Sequence, residues 1–288
     1  MGVRPERVLA EPFRRNTAPC IAYGTFLINQ ENPDAVIAVT PADHLIVNEE
    51  EFRKTINSGF DFAQTNDILI TLGIKPDKPE IGYGYIQVNK MDFVKGTDKL
   101  MKVKAFTEKP DIKLAKTFIK SGDFYWNSGI FIWSAKSIVK SMGKYLPDIC
   151  SAFSDGKSLL GTLNEDDFIN KIYSSFRSIS IDYGVLEKAD NVYVLSAEMG
   201  WSDLGTWSSL YVHKTVDNNE NTIISGKAFS HNCKGNMISI TPGKVALLQG
   251  LNDYIVVDTE EALLIIRKEN EQKIKQYLEV IKDEIKEI

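Results

Sequence analysis

Several short stretches of the sequence set acidic, basic and amide side chains beside glycine, a combination suited to holding a metal ion and a phosphorylated sugar. Pro41-Ala42-Asp43-His44 follows directly on the apolar, β-branched run at 35–40 (AVIAVT). Ligands of open α/β sheets bind beyond the carboxyl ends of the strands, so Asp43 stands where a metal or a phosphate could be held. Capping of the following turn by Asp43 is an equal alternative. Gly200-Trp201-Ser202-Asp203-Leu204-Gly205-Thr206-Trp207 follows a second strand-like run at 192–197, with Asp203 between two glycines that permit tight turns. Mg²⁺ takes one or two protein carboxylates together with phosphate oxygens and water, and Asp43 with Asp203 could be that pair. The competing reading makes Ser202 or Asp203 a helix cap and puts Trp201 and Trp207 in the core.

Further candidates are suited to phosphate, sugar and base. In Glu108-Lys109-Pro110 the lysine is a point charge for a phosphate, and Glu108 can accept from sugar hydroxyls. The alternative is an exposed ion pair at a strand-to-helix turn, which contributes little. Gly82-Tyr83-Gly84-Tyr85 lets a ligand approach the backbone while the tyrosines flank a sugar ring; a plain turn is the other reading. Asn127, in Trp126-Asn127-Ser128-Gly129, offers both a donor and an acceptor to hydroxyls. Glu11, in the stretch Glu11-Pro12 through Arg14-Arg15-Asn16-Thr17-Ala18-Pro19, could accept from both N1–H and the exocyclic amine of guanine. Uracil and thymine have no such paired donor edge.

The elements that would position these groups are readable from periodicity. Asn16 followed by Pro19 marks a helix start, continuing to about Asn29. The run at 35–40 is expected to be a strand buried on both faces of a parallel sheet, and 68–74 another. Phe52, Ile56, Phe60 and Ala63 fall on one helical face. Strands are expected at 101–107 and 124–133, with helices at 111–120, 135–145 and 165–176. This alternation predicts an α/β fold. After about Asn218, short strand-like pieces are separated by Gly, Asn and Asp turns, so a smaller β domain at 219–288 is expected to follow a first domain at 1–218. A terminal helix closes it, with Ile274, Leu278, Ile281 and Ile285 in one stripe.

Composition is that of a globular protein, and the net charge of −5 argues against a nucleic-acid-binding surface. No apolar run approaches membrane-spanning length, and the N-terminal stretch with Arg4, Glu6, Arg7 and Glu11 has no signal-peptide core. Cys20, Cys150 and Cys233 are far apart, and we read them as reduced, mostly buried thiols of a cytoplasmic protein. His44, His213 and His231 lack zinc-ligand spacing.

Taken in order, EPFRRNTAP, TPADH, IGYGYI, FTEKP, YWNSGIF, DYGVLEK and GWSDLGTW resemble the bacterial mannose-1-phosphate guanylyltransferases over essentially the whole chain. The stretches GLNDYIVVDTEEALLI and EQKIKQYLEVIK resemble that family's C-terminal part. The resemblance implies a Rossmann-like nucleotidyltransferase sheet, a left-handed β-helix-like domain and a homodimer. It implies that GTP and mannose 1-phosphate give GDP-mannose and pyrophosphate with Mg²⁺. Asp43 and Asp203 would hold the metal and Lys109 the sugar phosphate. Glu108, Gly84 and Asn127 would meet the sugar, with Tyr83 and Trp201 alongside. Glu11, Asn16 and Thr17 would lie near the base, and Asp182 would shape the pocket floor. The family's opening GGxGxRLxPLS loop and later PKQ are not found, so the sheet is expected to lack its first strand, phosphate loop and following helix, leaving a strand edge unpaired. Two alternatives stay open: an inactive fragment that binds sugar phosphate or dimerises, and a nucleotidyltransferase for another sugar or base.

Overall fold

The computed structural model describes residues 7–93, 99–212 and 216–285; His213 lies outside them. The chain forms two compact units, Met1–Ala42 with Ile46–Trp201, and Asp43–Leu45 with Ser202–Ile288. The elements up to Ser202 are α1 (Thr17–Glu31), β1 (Val36–Val39), β2 (Leu45–Ile46), α2 (Glu49–Thr65), β3 (Leu69–Ile74), β4 (Tyr85–Phe93), β5 (Leu100–Thr107), α3 (Ile112–Ser121), β6 (Phe124–Ser134), α4 (Ala135–Tyr145), α5 (Pro147–Asp155), α6 (Glu165–Ser175), a π-helical turn (Asp182–Leu186), β7 (Val192–Ala197) and β8 (Trp201–Ser202).

The first unit is a six-stranded sheet in the order β1-β6-β3-β7-β5-β4, covered by helices on both faces. β3 sorts its side chains alternately, as strand geometry requires. Leu69 joins Phe131 and Trp133 under α1, α4, α5 and α6. Ile70 and Leu72 join Ile132 and Leu195 under α2 and α3. Burying each such large side chain contributes about 1.5–3 kcal/mol.

The parallel reading of the sheet needs correction. β3 and β7 run parallel, but every other pairing in this sheet is antiparallel: β6 runs opposite to β1, β3 and β4, and β5 runs opposite to β4 and β7. Nor is β1 fully buried. Ile37 and Val39 pack on one core and Val36 and Ala38 on the other, so both faces are covered. All four residues are nonetheless half-exposed, because β1 is the edge strand and β6 is its one strand neighbour among the described residues.

The helix boundaries follow local chemistry. The Asn16 side chain accepts from the Thr17 N–H at the start of α1, and Asp111 accepts from Leu114 N–H at the start of α3. Gly122, at φ 72°, ends α3 in the left-handed region that glycine tolerates.

The second unit contains α7 (Trp207–Val212), β9 (Thr222–Ser225), β10 (Lys227–His231), β11 (Met237–Ser239), β12 (Val245–Gln249), β13 (Tyr254–Asp258), β14 (Leu263–Arg267) and α8 (Ile274–Ile285). β9, β11 and β13 stack in parallel, as do β10 and β12, so the chain winds as a β-helix-like coil. β14 adds antiparallel to β13. Buried asparagines bind successive coils. Asn221 Oδ1 accepts from both the backbone N–H and the side-chain amide of Asn236. Asn236 in turn donates to Leu251 O and accepts from Tyr254 N–H. Ile274 of the expected apolar stripe packs into this unit's core and Leu278 is exposed, whereas the side chains of Ile281 and Ile285 lie outside those described.

Candidate active site

In the first unit, the ends of β3, β4, β5 and β6 and the π-turn bring together Thr71, Gly84, Glu108, Lys109, Asn127 and Asp182. A bulge in β6 makes this possible. The β3–β6 register shifts between Thr71 and Gly73, and Gly129 sits at φ 71° inside the shifted stretch. Bulges re-aim a side chain, and here Asn127 is the one turned. Its backbone N–H donates to Gly84 O at 2.8 Å. Its Oδ1 accepts from the Thr71 hydroxyl at 3.0 Å and the Gly129 N–H at 3.3 Å, and its Nδ2 donates to Asp182 Oδ1 at 2.8 Å.

Gly84 is glycine for a steric reason. A Cβ there would stand 2.7 Å from Glu108 Oε2, so the carboxylate lies directly against that backbone. Lys109 Nζ pairs with Glu108 Oε1 at 3.0 Å and remains largely exposed. Its backbone is left-handed at φ 43°, a conformation that costs a β-carbon-bearing residue about 1–2 kcal/mol. Among the described residues, six non-glycines have such positive φ, and three of them, Asn16, Lys109 and Leu204, fall in the stretches singled out for chemistry. Strain of this kind gathers at functional sites.

The carboxylates act on one another. Burial raises the pKa of Asp182, the Asn127 hydrogen bond opposes this, and the charge of Glu108 adds to it. Burial likewise raises Glu187, followed by the charges of Asp182 and Glu108. The result is an acceptor-rich cradle, favourable to hydroxyl donors, with a cation at its mouth.

Tyr83 and Trp201 lie in the core beside this cradle. Tyr83 packs edge-on against both Trp126 and Trp201 and is 7% exposed, so its ring supports the loop at 82–85 from below. Glu11, Asn16 and Thr17 lie at the start of α1 with local partners: Glu11 accepts from the Tyr173 hydroxyl, Asn16 caps the helix, and Thr17 Oγ1 accepts from the Ile181 N–H. The last bond ties the start of α1 to the residue preceding Asp182. Cys20 is exposed, unlike Cys150 and Cys233, and burial with the Glu11 charge pushes its thiol up to about 11, so it is no ready nucleophile.

Asp43 and Asp203 belong to the second unit. Burial lowers the pKa of His44, and the charges of Asp43 and Asp203 act against that shift. Asp203 Oδ1 accepts from Gly205 N–H at 2.9 Å, and Leu204 between them is left-handed at φ 49°. A Cβ at Gly205 would meet Asp203 Oδ2 at 2.7 Å. Asp43 is exposed. Among the described residues no group of three or more His, Cys, Asp or Glu is arranged to hold a metal. An acidic pair suits Mg²⁺, which completes its shell with phosphate oxygens and water.

Thr71 escaped the sequence reading. Its signal was a single polar residue inside the apolar run at 68–74, fully buried in the structure and committed to Asn127.

A family model described as nucleotidyl transferase matches residues 3–220. The chain belongs to the nucleotidyl transferase family. A second model, described as the MannoseP isomerase/GMP-like beta-helix domain, matches residues 226–281 of this family member. It is 36% identical over 284 residues to a mannose-1-phosphate guanylyltransferase of Salmonella typhimurium, covering 96% of this chain and 58% of the relative. It is 33% identical over 277 residues to one of Escherichia coli, covering 94% of this chain and 59% of that protein. The chain thus spans a little under three-fifths of the length of these curated relatives. A solved structure from Thermus thermophilus, described as mannose-1-phosphate geranyltransferase, superposes with a TM-score of 0.81 at 26% identity, covering 96% of this chain and 78% of that one. A Helicobacter pylori structure described as mannose-6-phosphate isomerase reaches a TM-score of 0.55 at 28% identity, covering 67% of this chain and 72% of that one.

Proposed function

We propose that the chain carries the sugar-phosphate and metal groups of a mannose-1-phosphate guanylyltransferase, which converts GTP and mannose 1-phosphate to GDP-mannose and pyrophosphate. The observation that carries this reading is the cradle of Gly84, Glu108 and Asn127 with Lys109 at its mouth. It supplies hydroxyl acceptors and a phosphate cation a few residues apart. The named relatives in Salmonella and Escherichia agree with it.

In this reading a phosphate oxygen of mannose 1-phosphate attacks the α-phosphorus of GTP in line. The new P–O bond forms as the bond from α-phosphorus to the bridging oxygen breaks, and pyrophosphate leaves with that electron pair. The nucleophile is already ionised, so the protein's task is positioning and charge neutralisation rather than strong base catalysis. Lys109 orients the attacking phosphate, and Glu108 and Asn127 hold the hexose. The segment with Glu11, Asn16 and Thr17 serves the guanine base. Asp43 and Asp203 would hold Mg²⁺, whose charge neutralises phosphate oxygens.

We place the protein in the cytoplasm as a homodimer that engages neither nucleic acid nor membrane. Its described cysteines are free, and none of its described helices is long and apolar enough to cross a membrane. Phe229, Val245 and Leu247 form an exposed apolar face on β10 and β12 that a second copy could cover.

Pyrophosphorolysis tests the reading. With pyrophosphate and Mg²⁺, the chain is expected to release GTP from GDP-mannose at least about 100-fold faster than it releases UTP from UDP-glucose, since a mismatched hydrogen-bonding edge leaves buried groups unpaired. Preference for the uridine or thymidine substrate would overturn the guanine assignment. Binding of mannose 1-phosphate without turnover would reduce the chain to a sugar-phosphate-binding module.

A further inference from the structure

The Asn127 amide has little freedom left. An amide side chain has two acceptor lone pairs and two donor hydrogens. At Oδ1 the Gly129 backbone N–H donates, which requires an acceptor there, and the Thr71 hydroxyl takes the second lone pair. At Nδ2 the Asp182 carboxylate requires a donor. The amide therefore has one orientation, and one Nδ2 hydrogen remains. Thr71 is fully buried and Asp182 half-buried, so the first clamp is shielded from water and the second partly so. Ser128, next in the bulge, is locked in turn: its hydroxyl donates to Leu72 O at 2.7 Å and accepts from Ile130 N–H.

We infer that Asp182 is a positioning residue for sugar recognition: with Thr71 it holds Asn127 as a one-hydrogen donor, so that this point of the pocket reads the oxygen of a single sugar hydroxyl. The inference rests on the reading of the pocket as a sugar-phosphate site and adds Asp182 and Thr71 to it. Its consequence is a division of labour. Glu108 accepts from hydroxyl hydrogens, while Asn127 donates to a hydroxyl oxygen. One sugar hydroxyl can satisfy both, donating to the first and accepting from the second. A ligand lacking it leaves the fixed Nδ2 hydrogen unpaired.

The groups facing Asp182 are Asn127 on β6, Glu108 after β5, and Tyr183 and Glu187 on its own turn, with Lys109 and Lys188 at the edge. Burial raises the Asp182 pKa, and its titration is reported by the Asn127 amide that donates to it.

Two measurements on the whole chain test this. In the ligand-free protein with ¹⁵N-labelled asparagine, one proton of the Asn127 side-chain amide is expected to exchange slowly with water and to shift as Asp182 titrates, with an apparent pKa above the ordinary carboxylate range. Asp182→Ala should abolish both the protection and the shift. An Asn127 amide in the unsubstituted protein whose two protons exchange equally fast and do not respond to pH overturns the inference. The second measurement is calorimetric binding of mannose 1-phosphate. Asp182→Ala and Thr71→Val are each expected to weaken binding about 10-fold, the double variant scarcely more, because both act through one amide. Asp182→Asn keeps an acceptor oxygen and is expected to stay within about 3-fold of the parent. Among monodeoxy mannose 1-phosphates, one should bind the parent and Asp182→Ala equally well. Parent binding with Asp182→Ala unimpaired overturns the inference and leaves the pocket reading standing. Absence of parent binding overturns the pocket reading, and the inference with it.

Discussion

Asn236→Ala is expected to cost the β-helix-like unit about 2–4 kcal/mol, the sum of a buried cavity and an orphaned backbone donor. Asn236 is fully buried, and its side chain is the partner of Tyr254 N–H. Losing it leaves that donor inside the stack without its side-chain acceptor. The Leu251 carbonyl keeps its bond from Lys234 N–H, and Asn221 Oδ1 keeps that from the Asn236 backbone, so the damage centres on Tyr254. For a unit of this size the loss corresponds to a fall in melting temperature of roughly 10–30 °C. Differential scanning calorimetry reads it directly. A variant melting within about 2 °C of the parent would show that the ladder is ornamental. Asn221→Ala should act on the same ladder, and the two substitutions together should fall short of additivity.

The second large effect concerns Lys109. Lys109→Ala is expected to weaken mannose 1-phosphate binding about 10–100-fold, the range for losing a hydrogen bond to a charged group. The backbone at φ 43° supplies a control that most lysine substitutions lack. Alanine keeps the strain, so its stability should match the parent. Lys109→Gly removes the strain and should raise stability by about 1 kcal/mol while binding as poorly as the alanine variant. A chain that became more stable and yet bound as well as the parent would remove Lys109 from the phosphate role. Equal affinity of the alanine variant and the parent would do the same.

Much of the first unit was legible because its elements obey simple periods. The helix at 135–145 was expected from the alternation of strands and helices, and Gly122 ends α3 in the left-handed conformation that glycine tolerates. The open edge at β1 was harder. AVIAVT reads as a doubly covered strand, and the helices do cover both faces, but composition cannot say how many neighbours a strand has. The directions of β5 and β6, which make every pairing but β3–β7 antiparallel, are properties of tertiary order and leave no local mark. β4 was not expected beyond Tyr85, because Tyr85–Phe93 mixes polar and apolar residues without a clear period. At the candidate site, motif residues stood out as types. What they touch did not: Tyr83 and Trp201 look like ligand-flanking rings in sequence and lie in a buried aromatic cluster in space. Thr71 and the asparagine ladder depend on partners 56 and 15 residues away, which no local pattern records.

The edge strand has a consequence for solvent. Ala35 O accepts from Ala135 N–H, and the antiparallel register pairs Ile37 with Trp133 and Val39 with Phe131. In such a ladder alternate residues turn their backbone groups toward the partner and the others away. Ile37 and Val39 therefore face β6, whereas Val36 and Ala38 point their N–H and C=O groups outward. Within four residues of one strand, protons that deuterium replaces quickly sit beside protons it replaces slowly. A strand laid along the outer edge would silence the fast pair and leave the slow pair as it was, so Val36 and Ala38 form a two-residue isotopic gauge of whether anything occupies that edge.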